Sequence, residues 1–158
     1  MRRTILFICT GNSCRSIMAE GLLKKMLSEK GVKEYNKYKI ISAGTHTVDG
    51  YPPAHMTQKI MAAQGIDVSS YRSNMLTRET INKSDIVVLV MTQEHKDEIL
   101  RIYQEKTKKI FLLKEFAEIE DKNPDIADPI GLSYDAYKYC MEEIEKCLIK
   151  IIKKIEKQ

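Results

Sequence analysis

Cys9 and Arg15 stand in the stretch TILFICTGNSCRS, residues 4–16, with five small or polar residues between them. A thiol and a guanidinium at this spacing can serve one anion. The sulfur attacks, and the planar fork binds two phosphoryl oxygens at once. The apolar run before Cys9 reads as a buried strand, and the residues after it as a tight loop entering a helix. Such a loop gathers backbone N–H groups around one point, and the helix N-terminus adds positive potential. A phosphate fits a nest of that size and charge.

Thr10, Gly11, Asn12, Ser13, Cys14 and Ser16 are the expected cradle. Gly11 is expected to supply backbone angles closed to other residues, and Asn12 tolerates them better than most. The positive surroundings are expected to lower the pKa of Cys9, with the Ser16 hydroxyl donating to the thiolate. Arg15 would then hold the trigonal-bipyramidal transition state. This chemistry calls for no metal and no cofactor. The competing reading takes Cys9 as a small apolar residue that ends a strand. The strand before it, the Gly-Asn pair and the helix-entering Ser weigh against that.

Two readings of Cys14 stand side by side. It pairs reversibly with Cys9, guarding a reactive thiolate from over-oxidation, or it packs beneath the helix start. Cys140 and Cys147 lie two turns apart on the last helical pattern and read as core. His46, His55 and His95 are scattered and lack metal-ligand spacing. Thiolate attack on a phosphomonoester also needs a proton donor for the leaving group and later a base for water. Asp128, stiffened by Pro129 on a late loop, is the candidate for both. The nearby Asp121 and Asp125 read as turn residues.

Alternating β and α patterns must position these groups. Residues 4–9, 39–43, 85–91 and 109–113 read as strands. Helical spacing follows over 15–30, from Pro52-Pro53 to Gly65, from Thr92 to Tyr103 and over 134–156, with a short helical turn at 114–117. The β-branched run DIVVLVM suits a parallel sheet covered on both faces. The order predicts an α/β, three-layer fold of about four parallel strands. Ligands of such sheets bind beyond the carboxyl ends of the strands, where Cys9 falls. The 121–133 loop is expected to reach the same edge.

The chain has 158 residues, which suits one domain over 1–158. Its net charge of +4 comes partly from Lys150, Lys153 and Lys154 on the last helix, a solvated face rather than a nucleic-acid surface. The apolar run after Arg2-Arg3 is too short for a signal peptide, and no stretch is long enough to span a membrane. A cytoplasmic protein with free thiols is expected.

CTGNSCRS after a first strand, with Asp128-Pro129 on a late loop, resembles the low-molecular-weight protein tyrosine phosphatase family. SAGT (42–45), QGIDVSSYRS (64–73), SDIVVLVMTQEHK (84–96) and DPIGLSYDAY (128–137) extend the likeness over nearly the whole chain. The resemblance implies a four-stranded parallel sheet flanked by helices on both faces, with the phosphate-binding loop after strand one. It implies Cys9 as nucleophile, Arg15 as phosphate clamp and Asp128 as general acid and base. Asn12 shapes the loop, Ser16 stabilises the thiolate, and Cys14 is the redox partner of Cys9. The implied substrate is a phosphorylated protein, converted through a cysteinyl-phosphate to inorganic phosphate by a metal-independent monomer.

Phosphotyrosine enzymes of this family often carry a large aliphatic residue at the Ser13 position, and aromatic residues after the Asp-Pro and near Val48. This chain has Ser13, Ile130 and Val48 there, leaving His46 and Tyr51 as rim aromatics. Phosphotyrosine is the expected substrate. Phosphoarginine is the alternative, since a bacterial branch with that activity has Thr at the Ser13 position and a similar ending. A related arsenate reductase needs further cysteines after the third strand, where MTQEHKDEILRIY has none. A non-catalytic phosphate-binding module would need neither the nucleophile nor the acid.

Overall fold

The computed structural model describes residues 2–83, 86–103 and 109–157. Arg3–Cys9 forms β1, which is buried almost throughout because strands pair with it on both edges. Tyr38–Gly44 (β2) lies on one side and Ile86–Val90 (β3) on the other, and Ile110–Leu112 (β4) pairs with β3. All pairings are parallel, in the order β2-β1-β3-β4. The chain leaves β1 for β2 on one side and returns for β3 on the other. The carboxyl ends of β1 and β3 therefore flank the crevice where such a sheet binds its ligand. Cys9 ends β1, in register with Gly44 of β2. The third strand was expected from Asp85, which lies outside the described residues with Ser84.

Alternation along β1 divides the core. Ile5, Phe7 and Cys9 face the helices Arg15–Glu29 (α1), His55–Ala62 (α3), Leu113–Phe116 (α6) and Tyr134–Glu156 (α7). Leu6 and Ile8 face Ile81 of Arg78–Ile81 (α4) and Ile99 of Gln93–Ile102 (α5). Val32–Tyr35 (α2) closes the turn before β2. The result is the expected three-layer α/β arrangement. Tyr137, Met141, Ile144, Leu148, Ile151 and Ile155 of α7 are buried on the expected stripe, with Cys140 and Cys147 among them.

Three local features depart from expectation. The one-turn helices α2 and α4 are too short to show a period. The third helix opens at His55 rather than at the proline pair, because the Ala54 N–H is held by the Ser13 carbonyl at 3.2 Å. The fourth strand is three residues long, and α6 follows it without a gap. Beyond α6, buried Lys114 bonds Asp121 at 2.9 Å, Glu143 at 3.1 Å and the Asn123 carbonyl at 2.9 Å. Ile126 N–H then reaches the Met91 carbonyl at 2.8 Å, which lays the last loop across the end of β3.

At the end of β2, a Cβ on Gly44 would stand 2.6 Å from the Thr10 carbonyl oxygen and 3.0 Å from the Asn12 nitrogen. Both neighbours are backbone and cannot swing aside. Gly44→Ala is expected to cost about 1–3 kcal/mol by overpacking, read from urea unfolding. A variant as stable as the parent would show that the loop has slack at this point.

Candidate active site

Everything at the carboxyl edge is arranged around Asn12, which is buried and adopts φ 52°. Its Oδ1 accepts the Asn74 N–H at 2.8 Å, so its Nδ2 must donate. One hydrogen goes to Ser42 Oγ at 2.9 Å and the other to Ser16 Oγ at 2.8 Å. Ser42 in turn donates to Glu20 Oε1 at 2.6 Å, and Lys24 donates to Glu20 Oε2 at 2.6 Å. Ser16 has taken its hydrogen from Asn12, so its own hydroxyl hydrogen is free to point at Cys9 Sγ, 3.0 Å away. The chain thus has a direction, and it presents the Cys9 sulfur with a donor. Gly11 was expected to take the unusual backbone angle, but its φ is not positive. Asn12 takes it instead, because its side chain is anchored at both ends.

Arg15 is buried on the first turn of α1, a turn that itself carries no acidic residue. Its Nη1 donates to the Ile126 carbonyl at 2.9 Å, and its Nη2 lies 3.5 Å from Asp128 Oδ2. Its Nε is buried and has no hydrogen-bond partner among the described residues. An unpaired buried donor on a cation is costly, and an anion in the loop would satisfy it. Asp128 is 41% exposed at its side chain, and its Oδ1 accepts the Ile130 N–H at 3.1 Å. Of the residues expected to act together, the structure pairs Cys9 with Ser16 and Arg15 with Asp128. Asp121 and Asp125 are occupied elsewhere, by Lys114 and by the Gln93 N–H at 2.8 Å.

Several groups escaped the sequence reading. Glu20, Ser42 and Asn74 complete the Asn12 network from three separate elements. His95 is buried and bonds Thr10 Oγ1 through Nε2 at 2.8 Å and Thr92 Oγ1 through Nδ1 at 2.9 Å. Its pKa is lowered from 6.5 to about 4, first by burial and then by the nearby Arg15 charge. The visible signal was Thr92 as a helix cap with a histidine three residues on. Tyr137 of α7 meets Cys14 Sγ at 3.4 Å, and its phenol is pushed up by burial and by that contact. All four cysteines are free. Burial raises Cys140 to about 12 and Cys147 to about 11, as suits core thiols. Among the described residues no cluster of three His, Cys, Asp or Glu could hold a metal ion.

The 46–54 segment is tied to the loop at both ends, by His46 N–H to the Thr10 carbonyl at 2.9 Å and Ala54 N–H to the Ser13 carbonyl at 3.2 Å. Between these ties Val48 and Tyr51 are exposed, as are Ile130 and Leu132 on the last loop. The His46 ring pairs with Glu98 at 2.7 Å. Ser13 is partly buried, with its carbonyl also accepting the Thr57 hydroxyl at 2.9 Å. Cys9, by contrast, is only 2% exposed.

A family model described as "Low molecular weight phosphotyrosine protein phosphatase" matches residues 4–158. The "Probable low molecular weight protein-tyrosine-phosphatase EpsP" of Ralstonia nicotianae is 36% identical, over 92% of this chain and 91% of its own. The "Protein-arginine-phosphatase" of Geobacillus stearothermophilus is 33% identical, over 96% and 95%. A solved low molecular weight protein tyrosine phosphatase from T. tengcongensis superposes with a TM-score of 0.86 at 34% identity, covering 96% of this chain and 99% of that one.

The lowered His95 pKa has a consequence for stability. Between pH 4 and 6.5 the unfolded chain binds a proton that the folded chain refuses. Stability is expected to fall as pH drops through this window, by about 3 kcal/mol at most, and to be fully present above it. Urea titrations at several pH values measure this. His95→Gln is expected to flatten that part of the profile, and an unchanged slope would assign it to other groups.

Proposed function

The chain belongs to the low molecular weight phosphotyrosine protein phosphatase family and is a cysteine-based phosphatase; from that premise we propose that it hydrolyses phosphotyrosine in proteins, with Cys9, Arg15 and Asp128 as its catalytic residues. The observation that carries the assignment is the directed hydrogen-bond chain that ends on Cys9 Sγ in the same loop as the unpartnered Arg15 Nε. The Cys9 thiolate attacks phosphorus in line. The bond to the phenolic oxygen breaks, and protonated Asp128 gives that oxygen a proton. A cysteinyl-phosphate remains. Water, deprotonated by the Asp128 carboxylate, attacks phosphorus, breaks the S–P bond and releases inorganic phosphate. Throughout, Arg15 and the amides of residues 10–15 bind the phosphoryl oxygens.

Depth supports the choice of residue. A sulfur closed off at the floor of the loop is served best by a phosphoryl group on a long side chain. Apolar Val48, Tyr51, Ile130 and Leu132 suit the flanks of a phenyl ring. Phosphoarginine is the second reading. The Ser13 hydroxyl favours it, as does the absence of an aromatic residue at Ile130. Cys140 and Cys147 are core thiols on α7, which weighs against arsenate reduction. Cys9 and Cys14 are the proposed redox pair, formed at the expense of the Tyr137 contact. The free thiols support a cytoplasmic setting, with the enzyme acting as a monomer. Among the described residues no helix is long and apolar enough to cross a membrane.

Rates on phosphotyrosine and phosphoarginine peptides, measured side by side without metal, test this reading. Cys9→Ser is expected to lose at least about a thousandfold in kcat, and full activity would remove Cys9 as nucleophile. Asp128→Asn is expected to lose about a hundredfold or more on phosphotyrosine. Ser13→Ile is expected to shift the ratio towards phosphotyrosine by about tenfold, and Ser13→Thr in the other direction. A parent that prefers phosphoarginine would replace the substrate while leaving the chemistry in place.

A further inference from the structure

The segment MTQEHK, residues 91–96, has no part in the mechanism above, yet it reaches the loop. Thr92 caps α5 by accepting the His95 N–H at 3.1 Å. That cap folds the His95 side chain back over the cap residue, and Nδ1 meets the same Thr92 oxygen at 2.9 Å. Either neutral tautomer bridges the two hydroxyls; we assign the Thr92 hydroxyl hydrogen to Nδ1, which leaves the ring hydrogen on Nε2 as donor to Thr10 Oγ1 at 2.8 Å. One turn further along α5, Glu98 pairs with the His46 ring, and the His46 N–H holds the Thr10 carbonyl at 2.9 Å. Residue 10 is therefore gripped by its side chain from α5 and by its carbonyl from His46, whose ring is in turn paired with α5.

Resting on the phosphatase reading, we infer that His95 is a positioning residue for the reaction: through the Thr10 hydroxyl it fixes the first peptide of the phosphate-binding loop, so that the loop's amides converge on the anion that Arg15 clamps. The loop is otherwise fixed in its middle by the Asn12 network and at its far end by α1. Residue 10 follows the nucleophile directly, and among the described residues its side chain has no other hydrogen bond. A loop free to rock at this point would still bind an anion but would match the transition state less well. The ring is suited to the task because it stays neutral. Burial and then the Arg15 charge oppose its protonation, and the nearby acidic groups Glu98, Asp125 and Asp128 do not outweigh them.

A double-mutant cycle on the full chain tests the inference. Thr10→Val keeps the shape of the side chain and removes the hydroxyl. His95→Phe removes the donor, and His95→Gln restores one at a similar reach. With p-nitrophenyl phosphate at fixed pH, Thr10→Val and His95→Phe are each expected to lower kcat about tenfold, the worth of one hydrogen bond. KM should change little. The double variant should be no worse than either single one, and His95→Gln should recover most of the rate. Losses that multiply, or a His95→Gln as slow as His95→Phe, would overturn the inference. Protection by inorganic phosphate in thermal melts is measured on the same proteins. It shows whether each variant is folded, and it reports on the loop without turnover. A parent that binds phosphate but turns over no substrate would overturn the phosphatase reading, whereas an active parent whose Thr10→Val and His95→Phe losses multiply would overturn this inference alone.

Discussion

The Asn12 side chain is the constraint on which the rest of the edge depends. A buried amide has two donors and an acceptor to satisfy, and here each has one partner of fixed polarity. Because Oδ1 must accept from the Asn74 backbone, both hydrogens of Nδ2 are committed outward. One commits Ser42 to donate to the Glu20 carboxylate, whose other oxygen accepts from Lys24 at 2.6 Å. The other commits Ser16 to donate to Cys9. The direction of four hydrogen bonds thus follows from one backbone N–H, and the outcome is a donor aimed at a sulfur. The same anchoring holds Asn12 in a left-handed conformation that would otherwise be unfavourable.

The fold supplies the positions. β1 sits in the middle of the sheet, so the loop after it is walled by the ends of β2 and β3. From β2 come Ser42 and Gly44. Gly44 lets the loop settle within contact of the strand end. From the end of β3 come Thr92 and α5. The last loop closes the ring, since Lys114 pins its start and the Met91 carbonyl holds its middle. A core built on two sheet faces therefore brings side chains from five separate segments to one sulfur and one guanidinium.

How far this was readable from the sequence follows from the kind of contact involved. Strands and long helices announce themselves by period, and Cys9, Arg15 and Ser16 lie within one short loop, so local spacing placed them. Asp128 was reachable because its loop leaves the last strand of a parallel sheet, which fixes the edge it must cross. Glu20, Ser42 and Asn74 were not reachable. Nothing local distinguishes a serine that ends a strand from one that orders an amide thirty residues away. His95 was set aside as one of three scattered histidines, because its partner lies 85 positions earlier in the chain. Gly11 was credited with the strained angle on residue type alone, whereas tertiary anchoring gave it to Asn12.

Charge balance explains why the proposed reaction can begin. Before substrate arrives, Arg15 is shared between the Ile126 carbonyl and Asp128. The Asp128 contact is long at 3.5 Å, and its carboxylate is partly in water, so it holds Arg15 weakly. A phosphoryl dianion in the loop offers Arg15 two oxygens in fork geometry together with the converging amides, a stronger claim than one screened oxygen. Asp128 is then released beside the leaving group. In the proposed first step that carboxyl gives its proton to the leaving oxygen. In the proposed reaction binding and acid catalysis are coupled through one guanidinium, and the weakness of the resting ion pair is what allows the exchange.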